Sequence, residues 1–139
     1  MKKGCNSIEM DDMYVVNEDI TKVSERIVTH YLNALYENDI DAMMSNYTNK
    51  SILITLVKTY KGLKEIREFM SELAKHFSHD NTVLILDKMI FENEVAYIVW
   101  HAHSPIFSIS MASETFFIKE EKIIKHTFIG QLSNDSFVV

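Results

Sequence analysis

The spacing of apolar residues changes period once along this chain, near Thr82, and that change restricts the folds open to it. Before it, apolar residues recur every three or four positions. Ile20, Val23, Ile27, Tyr31, Ala34 and Leu35 form one buried helical stripe, opened by Asp19 or Thr21, either of which can cap a helix. Asn38-Asp39 breaks that helix. Asp41 is placed to cap a short second one, with Ala42, Met43 and Tyr47 as its apolar contacts. Thr48-Asn49-Lys50 then reads as a turn, and the β-branched run 51–57 as a strand. Leu63, Ile66, Phe69, Met70, Leu73, Ala74 and Phe77 make the apolar face of a third helix, with Lys64, Glu65, Glu68 and Glu72 opposite.

After Thr82 the period is two. Residues 83–91, 95–103, 106–117 and 123–132 read as strands, turned at Glu92-Asn93-Glu94, Ser104-Pro105 and Lys119-Glu120-Glu121. Helices first and consecutive antiparallel strands after specify an α+β domain, its helices gathered on one face of a meandering sheet. One domain is expected over residues 17–132, with a loose leader at 1–16 and a tail at 133–139.

Composition closes off several functions. The formal net charge of -6, with no cluster of Lys and Arg, excludes a protein built to grip a phosphate backbone, so no nucleic-acid partner is expected. Cys5 is the sole cysteine, which rules out an internal disulfide and a cysteine-based zinc site. No apolar run approaches the ~20 residues of a membrane span. Lys2-Lys3 is followed by Gly4-Cys5-Asn6-Ser7 and then by Glu9, Asp11 and Asp12, not by the apolar core of a signal peptide. Cytoplasm is the expected compartment.

Three local strings occur in a telling order. Tyr31-Leu32-Asn33-Ala34-Leu35 precedes Asn38-Asp39-Ile40-Asp41-Ala42; Tyr60-Lys61-Gly62 leads into Ile66-Arg67-Glu68-Phe69; and Phe116-Phe117-Ile118-Lys119 is followed by Glu120-Glu121-Lys122-Ile123. Together they resemble the nuclear-transport-factor-2-like (NTF2-like) superfamily and, within it, the SnoaL-like proteins related to polyketide cyclases and ketosteroid isomerases. The corresponding family patterns are "GDxDA", "xxGxxxIxxF" and "FxxxDGKI", and here Glu120-Glu121 stands where the last has Asp-Gly. The resemblance implies a cone-shaped α+β barrel, with three N-terminal helices packed on the concave face of a curved, mainly antiparallel sheet around one internal pocket. It does not by itself fix an activity, because the superfamily includes isomerases, cyclases, dehydratases, epoxide hydrolases, transport factors and non-catalytic binders.

Register decides which side chains would face that pocket. Ile124, Phe128 and Leu132 alternate with Lys125, Thr127 and Gln131, so the even positions of the last strand read as buried, as do Phe116 and Ile118 before it. A three-residue loop at Lys119-Glu120-Glu121 puts both even sets on one face. A two-residue loop would not, and its primed turn demands positive φ, which two glutamates tolerate poorly. The three-residue loop is therefore expected, with Glu114 and His126 as diagonal neighbours on the concave face. The same parity sends Ile98, Trp100 and Ala102 inward, and Tyr97, His101 and His103 outward.

Glu114 and His126 are thus candidates for an acid–base pair that moves a proton near neutral pH, the alternative being a hydrogen-bonded couple that only makes a buried site tolerable. The resemblance to ketosteroid isomerase puts that family's first-helix tyrosine at Tyr31 and, if the final loop is one residue shorter, its protonated oxyanion-hole aspartate at Glu114. It puts the catalytic base at Thr55, which cannot take a proton from carbon. Trp100, Ile98, Phe116, Phe128, Thr55 and Tyr47 are the expected lining for a small apolar ligand. An enzyme of the isomerase or cyclase type acting on a carbonyl-containing ligand, and a non-catalytic pocket protein, both remain open. No cofactor is expected, and no metal, since His101-Ala102-His103 offers two imidazoles without a third ligand. Tyr97, Val99, Ile129, His101 and His103 share the outer sheet face, where a homodimer contact is expected.

Overall fold

The computed structural model describes residues 19–132; the leader expected over 1–16 and the tail over 133–139 lie outside the described residues. Helix α1 spans Ile20–Tyr36 and is capped by Asp19, whose carboxylate accepts from the Thr21 amide at 2.8 Å. Of the expected stripe Ile27, Tyr31, Ala34 and Leu35 are buried, joined by Val28 and Leu32, whereas Val23 is only partly buried and Ile20, in the first turn, is exposed. Asn38 turns the chain out of the helix at φ 59°. Helix α2 spans Ile40–Met44 and is capped by Asp39, not by Asp41. Asp41 instead sits in the first turn and pairs with Arg67 of the third helix at 2.9 Å.

Strand β1 covers Tyr47–Ile54, so Thr48-Asn49-Lys50 belongs to a strand and not to a turn. Short β2, Thr59–Lys61, folds back on it. Gly62 then opens helix α3, Gly62–Lys75, at φ 82°. A Cβ there would meet the Asn49 carbonyl at 3.3 Å, so both conformation and space call for glycine. No side chain caps α3 at Lys61, but the Lys61 amide donates to Glu65 of the first turn at 2.8 Å.

The remaining strands are β3 (Val83–Glu92), β4 (Val95–His103), β5 (Ser108–Lys119) and β6 (Lys122–Leu132). The sheet runs β2-β1-β6-β5-β4-β3, and among the described residues its only parallel pairing is β1 with β6. Register shifts interrupt four of the five pairings, the usual device by which a sheet is bent. The helices pack on the concave side, where Ala96, Ile98, Trp100 and Ala102 of β4 are all buried. Helix α1 also clamps the β3–β4 turn: the Ser24 hydroxyl donates to the Asn93 carbonyl at 2.6 Å, and the Asn93 amide donates to Thr21 Oγ1 at 3.0 Å. This is the α+β cone expected from the sequence. Among the described residues, no helix is long and apolar enough to cross a membrane.

The last hairpin departs from expectation. Strands β5 and β6 are joined by Glu120 and Glu121 alone, both left-handed at φ 51° and 63°. That conformation costs a non-glycine residue roughly 1–2 kcal/mol. Arg26 of α1 holds Glu121 Oε1 at 3.1 Å, and Lys122 Nζ donates to the Ser45 carbonyl at 2.7 Å, so two contacts anchor the turn to the helices. A register shift follows at once: Ile118 faces Ile123, whereas Phe117 faces Lys125. The extra residue in β6 restores the parity that the shorter turn would have inverted. Ile123, not Ile124, is consequently the fully buried residue at the start of β6.

Candidate functional site

Beyond that shift, Glu114 faces Phe128 and Phe116 faces His126, so Glu114 and His126 are diagonal neighbours on the concave face, as parity implied. Both are completely buried. Glu114 Oε1 and His126 Nε2 stand 2.7 Å apart.

Three further side chains complete the cluster. Tyr31, from the buried stripe of α1, donates its hydroxyl proton to Glu114 Oε1 at 2.7 Å. Trp100, from β4, donates its indole N–H to Glu114 Oε2 at 2.7 Å. The Tyr47 hydroxyl, at the start of β1, lies 2.8 Å from His126 Nδ1. Five residues from five elements thus form one connected polar network inside an apolar core.

One proton order gives every donor in the network an acceptor. The Tyr47 hydroxyl has His126 Nδ1 as its hydrogen-bond partner, so it donates there only if Nδ1 carries no proton. Nε2 must then carry the imidazole proton and donate it to Glu114. In that order Glu114 accepts three hydrogen bonds, from Tyr31, Trp100 and His126. Burial pushes the Tyr31 and Tyr47 hydroxyls well above the ordinary tyrosine range, and the nearby Glu114 charge adds to it, so both keep their protons.

Aromatic rings close round the network. Phe116 stacks on the His126 imidazole with centroids 4.2 Å apart, and Tyr31 meets Phe116 edge-on at 5.1 Å. Trp100 contacts Phe77 and Phe128 at 5.9 and 6.3 Å. Ile98, Phe116 and Phe128, three of the expected lining residues, are buried beside it. Two clefts of about 310–320 Å³ lie elsewhere, one at the ends of α1 and α3 around Tyr36, Phe77 and Thr82, the other beside Ile20, Val23 and Ile118.

Thr55 does not belong to this cluster. It follows the end of β1, where its hydroxyl donates to the Lys58 carbonyl at 3.0 Å and accepts from the Val57 and Lys58 amides, building the β1–β2 turn. The buried β1 residue level with His126 is Leu53. Tyr47 was legible only as an apolar contact and lining residue. Its place on β1 shows in the spacing Tyr47, Ser51, Leu53, whose parity is that of one strand face.

On the convex face His101 pairs with Asp87, Nδ1 to Oδ2 at 2.7 Å, and both are partly exposed. Among the described residues, no group of three or more His, Cys, Asp and Glu is placed to hold a metal ion.

No sequence family and no curated protein matches the chain. Solved structures match its fold. An NTF2-like protein of unknown function from Mesorhizobium loti superposes with a TM-score of 0.67 at 11% identity, over 84% of this chain and 97% of that one. An LEH-like epoxide hydrolase from M. tuberculosis gives 0.62 at 9% identity, over 79% and 84%. SalBIII, an epoxide hydrolase/cyclase-like enzyme with a role in pyran ring formation in the polyether salinomycin, gives 0.65 at 16% identity, over 79% and 92%. At such identities the likeness is one of architecture.

Proposed function

We propose that this chain, which has the NTF2-like fold, binds a small, largely apolar molecule whose polar group meets the Glu114–His126–Tyr31–Tyr47–Trp100 network. One observation carries the reading. A carboxylate with no exposed surface, held by three donors, sits where an apolar side chain would fill the core at lower cost. Such arrangements concentrate at sites where a proton is held or moved. The network suits that work, since His126 Nε2 and Glu114 Oε1 lie 2.7 Å apart, within proton-transfer reach of each other. The fold's appearance in an epoxide hydrolase and a cyclase-like enzyme agrees with chemistry at the concave face. Isomerase- or cyclase-type proton transfer is the activity this geometry could serve.

The completeness of the pairing favours a second reading, in which the network only sets the register of α1, β1, β4, β5 and β6. Every polar atom in it has a partner, as a structural network requires. Amide and indole NMR with a library of small apolar fragments separates the two. Ligand binding is expected to shift the Trp100 indole N–H and its neighbours at millimolar fragment. A library that moves only surface residues would leave the structural reading standing.

A further inference from the structure

The cleft of about 320 Å³ at the ends of α1 and α3 contains a polar group that the fold leaves unpaired. Thr82, directly before β3, lines this cleft and is only 5% exposed. Its amide donates to the His79 carbonyl at 3.1 Å, and its carbonyl accepts from the Tyr36 hydroxyl at 3.3 Å. The main chain is satisfied. Among the described residues, Thr82 Oγ1 is the one buried side-chain polar atom without a hydrogen-bond partner. A buried hydroxyl left in that state is costly to a fold, which makes it a marker of something that binds against it.

The surroundings of Thr82 carry one sign of charge. Both helices end here, so the negative ends of two helix dipoles meet at the cleft. Glu37 is the C-cap of α1, a helix with no basic residue in its last turn. An acidic residue at that end is locally unfavourable, and sequences break such rules chiefly at functional positions. Asp80 brings a second acidic residue to the lining, and no lysine or arginine joins them among the described residues. His79 Nδ1 accepts from the Asn81 amide at 3.0 Å, so its ring adds no compensating charge. Tyr36 and Phe77 contribute aromatic rings.

We propose that this cleft, separate from the buried Glu114 network, binds a small organic cation: a protonated amine on a compact aromatic or apolar body. The ammonium donates to Thr82 Oγ1 in the field of Glu37 and Asp80, and the body packs on Tyr36 and Phe77. A bare metal ion does not fit, because no group of three or more His, Cys, Asp and Glu among the described residues is placed to hold one.

Benzylamine, benzyl alcohol and benzoate share a ring and differ in charge, so they test this with the intact protein. Benzylamine should shift the Thr82 and Ser78 amide resonances saturably and bind about tenfold more tightly than benzyl alcohol, the scale of one charge-assisted hydrogen bond. Benzoate should leave both unmoved. Glu37→Gln and Asp80→Asn should each cut the preference for benzylamine over benzyl alcohol about two- to fivefold. Thr82→Val, nearly the same shape, should raise the urea midpoint of the free protein yet weaken benzylamine about fivefold or more. Glu37 and Asp80 are exposed, so their variants keep the test decisive whatever Thr82→Val does to the core. Benzylamine that binds no more tightly than either other probe, or whose shifts never saturate, would overturn the proposal. So would an unchanged preference in both acidic variants.

Discussion

The sheet carries two histidine–carboxylate pairs with the same 2.7 Å separation, one on each face. Asp87 and His101 lie on the convex side with side chains 43% and 35% exposed. Glu114 and His126 lie on the concave side and are not exposed at all. Distance therefore says nothing about what each pair is worth. Water screens the outer pair and can solvate either partner if the other is lost. The inner pair has no solvent to fall back on, so its three outside hydrogen-bond partners, Tyr31, Trp100 and Tyr47, must all come from the protein.

The largest effect expected from this contrast is on stability. Glu114→Ala leaves Tyr31, Trp100 and His126 without their acceptor and should lower the unfolding free energy by about 3–5 kcal/mol. Asp87→Ala should cost about 0–1 kcal/mol. Urea denaturation of both variants measures the two losses. Equal losses would show that burial does not set the worth of these pairs.

A second effect appears at high pH. The buried Tyr31 and Tyr47 hydroxyls hold their protons in the folded protein to higher pH than in the unfolded chain. Their contribution is fully present below the unfolded value of about 10. As pH rises from there toward the folded-state values, the unfolded chain binds fewer protons than the folded one, and stability falls. Each tyrosine adds up to about 1.4 kcal/mol per pH unit to that fall. Tyr31→Phe and Tyr47→Phe should each flatten the alkaline limb of a stability–pH profile. A limb of unchanged slope in both variants would contradict the assignment.

The smallest effect on the fold concerns the convex face. Ile129, Phe117, Val95, Ile90 and Met111 are each more than a third exposed there, beside the partly buried Tyr97 and Val99. We propose that a second copy of the chain covers this face. Ile129→Lys should change stability by no more than about 0.5 kcal/mol, yet convert a sedimenting dimer to monomer. Wild-type protein that sediments as a monomer at micromolar concentration would end the proposal.

Much of this was legible from residue order. The period change near Thr82 marked the boundary between helices and meander, and even-position parity placed Glu114, His126 and Trp100 on one face. What escaped was whatever local irregularity controls. Thr55 was assigned to the site because the resemblance to ketosteroid isomerase puts a first-strand residue there, with the strand read as 51–57, whereas β1 starts earlier, shifts register after Tyr47 and ends at Ile54. Tyr47 was missed as a partner of His126 for the same reason. The cap of α2 was placed two residues late, at Asp41, because Asp39 and Asp41 are equally good capping residues, and the choice between them rests on where Asn38 turns the chain.

The last hairpin carries a lesson for comparing such chains. Its two-residue turn and the extra residue in β6 are each an offset of one, and they cancel. An alignment that opens a single gap at Glu120-Glu121 sees only the first offset. It will then slide every later residue by one position and match His126 to a neighbour that points the other way. Aligned on strand pairing instead, with two opposed gaps on either side of Ile123, the inward columns stay in phase through Phe128. For a chain with a three-residue turn and an unbroken β6, whether its acid and imidazole correspond to Glu114 and His126 depends on the shorter turn and the extra residue being counted together.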